Sequence, residues 1–115
     1  MTEYHDKLKH LMNDFVHLVY DYTENFPKSE IFGLTSQIRR AALSIILNYI
    51  EGYARIKKMV TKNFLEISYG SLKESKYLVY FSYKRKFFNE KQYEKLIQLA
   101  EEIGKMLWGT INKIN

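Results

Sequence analysis

The chain has 115 residues, a net charge of +5 and no cysteine, so a disulfide framework and a thiolate metal site are excluded. Its hydrophobic content of 46% can fill a core, and one proline with five glycines favours long helices over many short strands. No apolar run approaches the roughly 18 residues of a membrane span, and the charged N-terminus lacks a signal core. We therefore expect one cytoplasmic domain over residues 1–115, with no membrane contact.

The charge is concentrated in the middle of the chain. Residues 39–91 contain 12 Lys and Arg against 4 Asp and Glu, a net charge of +8, whereas the rest of the chain sums to −3. A basic centre that follows an acidic N-terminal part indicates an anionic partner, and nucleic acid is the first possibility. A basic surface that is merely solvated is the alternative.

Apolar residues at spacings of three and four predict long helices. Helix A is predicted from Thr2 or Glu3 to about Asn25, because Pro27 disfavours helical geometry in the residue before it. Helix B is predicted over residues 34–54. A short connection with room for one helical turn separates the two helices.

The second half of the chain predicts two further helices. Helix C is predicted to start with Thr61 as its N-cap and to run to about Phe87. Asn89 is the predicted N-cap of helix D, with Gln92 three residues later as in a capping box, and the helix continues to about Lys113. Four such helices with short connections predict an all-α, antiparallel up-down-up-down four-helix bundle.

Helix B is apolar on two sides. The side predicted to face the core consists of Leu34, Ile38, Ala41, Ala42, Ile45 and Tyr49. The second apolar side consists of Leu43, Ile46, Leu47 and Ile50. A single bundle covers only one side of a helix, so the second side is predicted to be an oligomer interface. A membrane-surface helix or an exposed patch is the alternative.

A narrow polar line also runs along helix B. Its members, at spacings of three and four, are Gln37, Arg40, Ser44, Asn48 and Glu51. Between apolar flanks these side chains need hydrogen-bond partners, which predicts a polar network that fixes the helix register. An anion or ligand pocket is the alternative.

A resemblance to a known family extends over nearly the whole chain. It is carried by the stretches FPKSEIFGLTSQIRRAALSIILNYIEGYAR, FLEISYGSLKES and EEIGKMLWGTINKI. These resemble the bacterial four-helix-bundle proteins encoded in intervening sequences of large-subunit ribosomal RNA genes, which are related to the accessory variability determinant proteins of diversity-generating retroelements. The resemblance implies an antiparallel bundle that forms a ring-like homopentamer without enzymatic activity. For the retroelement branch it also implies nucleic-acid binding by a basic surface and contact with a reverse transcriptase.

One segment departs from the family pattern. The family usually has Ser-Ile-Pro-Ser-Asn-Ile-Ala-Glu-Gly where this chain reads SIILNYIEG, so Ile46 stands for the proline and Leu47 for a serine. Loss of the proline predicts a straighter helix B. This departure is typical of the retroelement branch, whereas GLTSQIRRAA is typical of the ribosomal branch, and both assignments stay open.

Basic residues form the predicted nucleic-acid site. On helix C, lysines that can neutralise phosphates alternate with tyrosines that can stack on bases. Two short basic runs, RIKK and KRK, lie near predicted helix ends. The predicted binding residues are Arg55, Lys57, Lys58, Lys73, Lys76, Tyr80, Lys84, Arg85 and Lys86. For helix C, an oligomer interface of tyrosines and lysine stems is the alternative.

One face of helix A carries four potential metal ligands, His10, Asp14, His17 and Asp21. Four side chains along one helix rarely close a tetrahedron, and no further ligand is evident. We therefore predict a solvated polar face with no metal and no cofactor.

No phosphate-binding loop, dinucleotide turn or nucleophile elbow occurs, so we predict no enzymatic activity and no catalytic residue. The sequence predicts a homo-oligomer, pentameric by resemblance, that binds structured RNA or RNA/DNA through basic surfaces. The alternative is a structural adaptor whose oligomer recruits a protein partner such as a reverse transcriptase, with no direct nucleic-acid role.

Overall fold

The computed structural model describes residues 2–114 and contains four α-helices. They are α1 (Glu3–Thr23), α2 (Leu34–Tyr53), α3 (Lys58–Lys84) and α4 (Glu90–Asn112), with a 3-10 turn at Lys28–Glu30. Each helix packs against the next one, and α4 closes the arrangement against α1. No strand occurs in the described residues. The predicted all-α four-helix bundle is confirmed, and its dimensions are 43 × 25 × 18 Å.

The antiparallel order gives the bundle two poles. The first pole contains the α2–α3 connection with the start of α1 and the end of α4, where Tyr4 Oη donates to Met106 O at 2.7 Å. The second pole contains the α1–α2 and α3–α4 connections, where the rings of Phe26 and Phe88 lie 4.9 Å apart. All four helices therefore run the full length between the poles.

Several helix ends follow from local sequence chemistry. The Asn89 side chain accepts from Gln92 N at 2.8 Å, and the Gln92 side chain accepts from Asn89 N at 2.9 Å, so the predicted capping box is confirmed. At the end of α3, Lys86 adopts a positive φ of 67°, and Phe87 N bonds to Ser82 O. This is the left-handed helix ending that usually carries glycine.

The prediction of Thr61 as the N-cap of helix C is wrong. The helix begins one turn earlier at Lys58, and Thr61 N already bonds to Lys57 O at 3.0 Å. Thr61 is buried because α2 and α3 approach closely there. A Cβ at Gly52 would lie 3.2 Å from Thr61 O, so glycine permits this approach. The tertiary contact extends the helix into the basic link.

The core confirms the predicted inner side of α2, since Leu34, Ile38, Ala41, Ala42, Ile45 and Tyr49 are all buried. The helix runs without interruption through Ile46 and Leu47, where the family pattern has proline and serine. Small serines of α3 allow its close packing on α2, and Ser68 Oγ donates to Ile45 O at 2.6 Å. No buried side-chain nitrogen or oxygen in residues 2–114 lacks a hydrogen-bond partner.

Candidate functional site

The predicted nucleic-acid residues lie in three places along the bundle. Arg55, Lys57 and Lys58 lie at the first pole, Lys73, Lys76 and Tyr80 lie along α3, and Lys84, Arg85 and Lys86 lie at the second pole. With 27 residues, α3 is about 40 Å long at 1.5 Å per residue. The outer groups are thus separated by the full length of the molecule, with the middle group between them.

One side of α3 connects these groups. The residues on it recur at helical spacings and are here called the lysine–tyrosine stripe: Lys58, Lys62, Tyr69, Lys73, Lys76, Tyr80 and Lys84. The stripe runs along the edge of α3 that faces α4, where Lys76 Nζ contacts Glu101 Oε1 at 2.6 Å. Lys62 was not among the predicted residues, although its spacing from Lys58 would have found it.

A groove of about 180 Å³ lies between the stripe and α4. It is lined by Tyr69, Leu72, Lys73, Lys76, Ala100, Glu101, Gly104, Lys105 and Trp108. The Trp108 side chain is 53% exposed, and its ring lies 5.5 Å from that of Tyr69 at an angle of 43°. Lys73 Nζ lies 5.2 Å from the centre of the Tyr69 ring. Lys105 and Trp108 were missed because their pairing with α3 depends on helix register.

Two of the predicted cations are paired with carboxylates. Arg55 bonds to Glu51 one turn before it, and Lys76 bonds to Glu101 across the groove. The hydrogen bond from Lys76 holds the pKa of Glu101 below its ordinary value, so this carboxylate stays charged. Six predicted cations have no carboxylate within 4 Å among residues 2–114: Lys57, Lys58, Lys73, Lys84, Arg85 and Lys86.

The edge of α3 that faces α2 has a different character. Together with the outer side of α2 it forms an exposed apolar surface, here called the α2/α3 face, which consists of Leu43, Leu47, Ile50, Ile67 and Gly70. Leu47 is 52% exposed, Ile50 is 51% exposed and Ile67 is 45% exposed. A bond of 2.9 Å between the hydroxyls of Ser44 and Ser71 sets the register that brings Leu47 level with Ile67.

Ile46 lies apart from the other predicted interface residues. It is half-buried, packs against the core and lines a shallow cavity with residues of α1 such as His10. Leu43, Leu47 and Ile50 lie on the outer side of α2. Three of the four α2 residues predicted to form the oligomer interface therefore share the exposed outer side of α2, whereas Ile46 does not. The exposed residues Ile67 and Gly70 of α3 were not among the predicted residues.

The predicted polar network on α2 forms only in part. Asn48 Nδ2 donates to Ser44 O and to Ser44 Oγ, each at 2.8 Å, and Ser44 Oγ bonds to Ser71 Oγ. Three other members do not join it. Glu51 pairs with Arg55, whereas Gln37 and Arg40 are exposed and form no side-chain hydrogen bond within residues 2–114. Solvent can satisfy these exposed groups, so they need no protein partner.

A cluster at the first pole was not predicted. His5 Nδ1 and Tyr49 Oη share a hydrogen bond, and the Tyr49 and Tyr53 rings lie 5.0 Å apart. Burial lowers the pKa of His5 and raises the pKa of Tyr49 above its ordinary value. The cluster thus favours a neutral imidazole and a protonated phenol. His5 lies on α1 and both tyrosines lie on α2, so the spacing of residues along one helix does not predict that His5 joins them.

The described residues contain no grouping of three or more His, Asp or Glu side chains suited to a metal ion. His10, Asp14, His17 and Asp21 are exposed on the outer side of α1. None of the helices in residues 2–114 is both long and apolar enough to cross a bilayer.

Comparison with known proteins identifies the family. A crystal structure of a protein of unknown function from the S23 ribosomal protein family of Bacteroides thetaiotaomicron superimposes with a TM-score of 0.84 and 23% sequence identity. The superposition covers 93% of this chain and 96% of that chain, which shows the shared fold. No curated protein matches the sequence. The profile of the 23S rRNA-intervening sequence proteins matches residues 7–109. The chain therefore belongs to the 23S rRNA-intervening sequence protein family.

Proposed function

We propose that the protein is a cytoplasmic, non-catalytic homo-oligomer that binds structured RNA or RNA/DNA through the basic side of α3. The observation that carries this proposal is the lysine–tyrosine stripe, which is interrupted only between Lys62 and Tyr69, where the exposed Glu66 lies on the same side of α3. It places five lysines along about 40 Å of one helix edge. Lysines on a rigid helix can contact successive backbone phosphates, and such binding is electrostatic and weakly sequence-selective.

Self-association is supported by the α2/α3 face. Soluble monomers rarely expose large contiguous apolar patches. A second copy of the chain is the simplest partner that would bury the α2/α3 face. Gly70 lies on this face, and a Cβ there would meet no atom within 4 Å. A glycine on an open helix surface lowers helix stability by about 1 kcal/mol relative to alanine. A close contact with another copy of the chain, which leaves no room for a side chain, would explain this glycine. The resemblance to family members implies five copies.

The two surfaces are compatible because they occupy different edges of α3. Copies joined through the α2/α3 face would leave the edge toward α4 open to solvent. A ring would then repeat the lysine–tyrosine stripe around its circumference. Several weak phosphate-binding surfaces on one particle act together through effective concentration. An oligomer thus raises the affinity for a long RNA without any new contact.

The family is named for intervening sequences of 23S rRNA, and this association is the reason for proposing RNA among the nucleic acids. A relationship of the family to the accessory proteins of diversity-generating retroelements is a further part of this proposal, whereas contact with a reverse transcriptase belongs to the adaptor alternative. The relationship is supported by the apolar SIILNYIEG segment, in which Leu47 contributes to the exposed α2/α3 face.

A structural adaptor that recruits a protein is the second possibility, and one observation favours it. The outer side of α4, beside the stripe, carries four exposed carboxylates, Glu90, Glu94, Glu101 and Glu102, among the exposed lysines Lys91, Lys95 and Lys105. Such carboxylates repel phosphates and suit a partner protein with a basic surface. In that case the lysines would contact the partner or other copies of this chain.

The test compares two triple charge reversals with equal changes in net charge. The first is Lys73→Glu, Lys76→Glu and Lys84→Glu, and the matched control is Lys7→Glu, Lys28→Glu and Lys95→Glu, whose lysines are exposed outside the stripe. Mass is measured by light scattering with and without a structured RNA at two salt concentrations. Loss of RNA binding in the first variant only, with the oligomer intact, supports the proposal. Equal binding by both variants contradicts it, and dissociation of the first variant assigns the stripe to the oligomer interface.

A further inference from the structure

The groove between α3 and α4 contains an exposed tryptophan, Trp108, for which phosphate binding alone gives no role. Trp108 is the only tryptophan in the chain, and more than half of its side chain faces solvent. It lies beside the Tyr69 ring, so two aromatic side chains line the same short groove. Three lysines, Lys73, Lys76 and Lys105, line it as well.

We infer that this groove binds unpaired nucleotides of a single-stranded segment, with a base stacked on Trp108 and the flanking phosphates on Lys73 and Lys105. The inference rests on the proposed RNA-binding function and names the form of nucleic acid that the site accepts. Base–aromatic stacking with lysines along the backbone is the general arrangement of single-strand binding sites.

The size of the groove favours one base over a duplex. Its volume of about 180 Å³ is below the roughly 300–1,000 Å³ of pockets that enclose drug-sized ligands. The faces of paired bases are covered by their neighbours in a helix, whereas an unpaired base can turn outward and stack on a protein ring. The duplex parts of a structured RNA would therefore lie along the stripe, and a loop or bulge would enter the groove.

The charge of the groove favours a polyanion over a protein segment. Its three lysines outnumber Glu101, and Glu101 is already bonded to Lys76 at 2.6 Å. Lys73 and Lys105 form no ion pair within residues 2–114 and are exposed, so they are available to phosphates. Lys73 also lies over the Tyr69 ring, which keeps a positive charge beside the aromatic pair.

Tryptophan fluorescence reports directly on the site because Trp108 is the only tryptophan in the chain. The full-length protein is titrated with an unstructured RNA of about ten nucleotides and with the same sequence as a duplex, in about 50 mM salt. The single strand is expected to quench Trp108, and the duplex is expected to bind without comparable quenching.

A second measurement uses labelled RNA and fluorescence anisotropy, so it does not need the tryptophan. Trp108→Leu is expected to weaken single-strand binding by between about 5-fold and 100-fold and to leave duplex binding unchanged. Tyr20→Leu is the matched control, since Tyr20 is another exposed aromatic residue but lies on α1. Circular dichroism checks that both variants keep the helical fold.

The outcomes separate this inference from the proposed function. RNA binding without Trp108 quenching, with equal affinity of Trp108→Leu for single strand and duplex, overturns the inference and leaves the stripe as a phosphate-binding surface. No RNA binding at low salt overturns both. Quenching by an acidic peptide but not by RNA also overturns the inference, because it assigns the groove to a protein partner.

Discussion

The two edges of α3 have opposite surface chemistry although they belong to one helix. The edge toward α2 carries Ile67 and Gly70 beside exposed leucine and isoleucine of α2, and this surface is apolar. The edge toward α4 carries the lysine–tyrosine stripe and the groove with Trp108. A surface that attracts another copy of the chain and a surface that attracts phosphates can therefore be tested separately.

The largest expected effect is the loss of the oligomer on Leu47→Glu. A charge in the middle of the α2/α3 face would be desolvated by a second copy, and burial of an unpaired charge is strongly unfavourable. The mass in solution is expected to fall to that of one chain, 13.8 kDa. Affinity for a long RNA is expected to fall about 100-fold or more through loss of multivalency.

Ile56→Glu is the matched control for this change. Ile56 is fully exposed at the first pole, outside the α2/α3 face, and the substitution has the same chemistry. The control is expected to keep the mass of the unaltered protein. If Leu47→Glu also keeps it, the α2/α3 face is not where copies meet.

The next-largest effects are the changes in the free energy of unfolding expected when two glycines in different surroundings are replaced by alanine. A Cβ at Gly52 would lie 3.1 Å from Phe64 Cβ, so Gly52→Ala is expected to lower the free energy of unfolding by about 1–2 kcal/mol. Gly70 has open space around it, so Gly70→Ala is expected to raise that free energy by up to about 1 kcal/mol through helix propensity. Urea unfolding in the monomeric Leu47→Glu background measures both.

Gly70→Ala is also expected to weaken self-association in the otherwise unaltered chain, since its methyl group would enter a close contact between copies. Light scattering over a dilution series checks this. Higher stability together with unchanged association would mean that Gly70 lies outside the contact.

A smaller effect concerns the acidic residue in the groove. Glu101→Gln removes a negative charge and releases Lys76 from its ion pair, so RNA affinity is expected to rise several-fold. Anisotropy titration at low salt measures the change, with Glu94→Gln, on the same helix outside the groove, as the control. A fall in affinity would indicate that Glu101 holds Lys76 in its binding position.

The smallest expected effect is on the pH dependence of bundle stability. Because the pKa of His5 is lowered by burial, the unfolded chain binds the proton more readily, and stability is lost as the pH falls below about 6.5. His5→Asn is expected to show a weaker decline of unfolding free energy between pH 7 and pH 5, measured in urea at each pH. An unchanged decline would assign the effect to the carboxylates.

Much of the fold could be predicted because helix periodicity and local caps decide it. The core side of α2 and the Asn89–Gln92 capping box follow from spacing alone. The start of α3 could not be predicted, since the approach of Gly52 to Thr61 is a contact between helices.

Contacts between helices also limit how much of the site could be predicted. The lysines of α3 could be predicted from their own spacing, whereas Trp108 and Lys105 join them only through the register of α4 against α3. The pairing of Arg55 with Glu51 was missed although their spacing of four residues is a local signal.

The most direct test of phosphate binding by the stripe is the salt dependence of affinity for a structured RNA. Five lysines per chain predict a slope of log affinity against log salt concentration of about −4. The Lys73→Glu, Lys76→Glu, Lys84→Glu variant should have a shallower slope, about −2 or closer to zero. A slope near zero, or the same slope in the variant and the unaltered protein, would contradict binding through the basic side of α3.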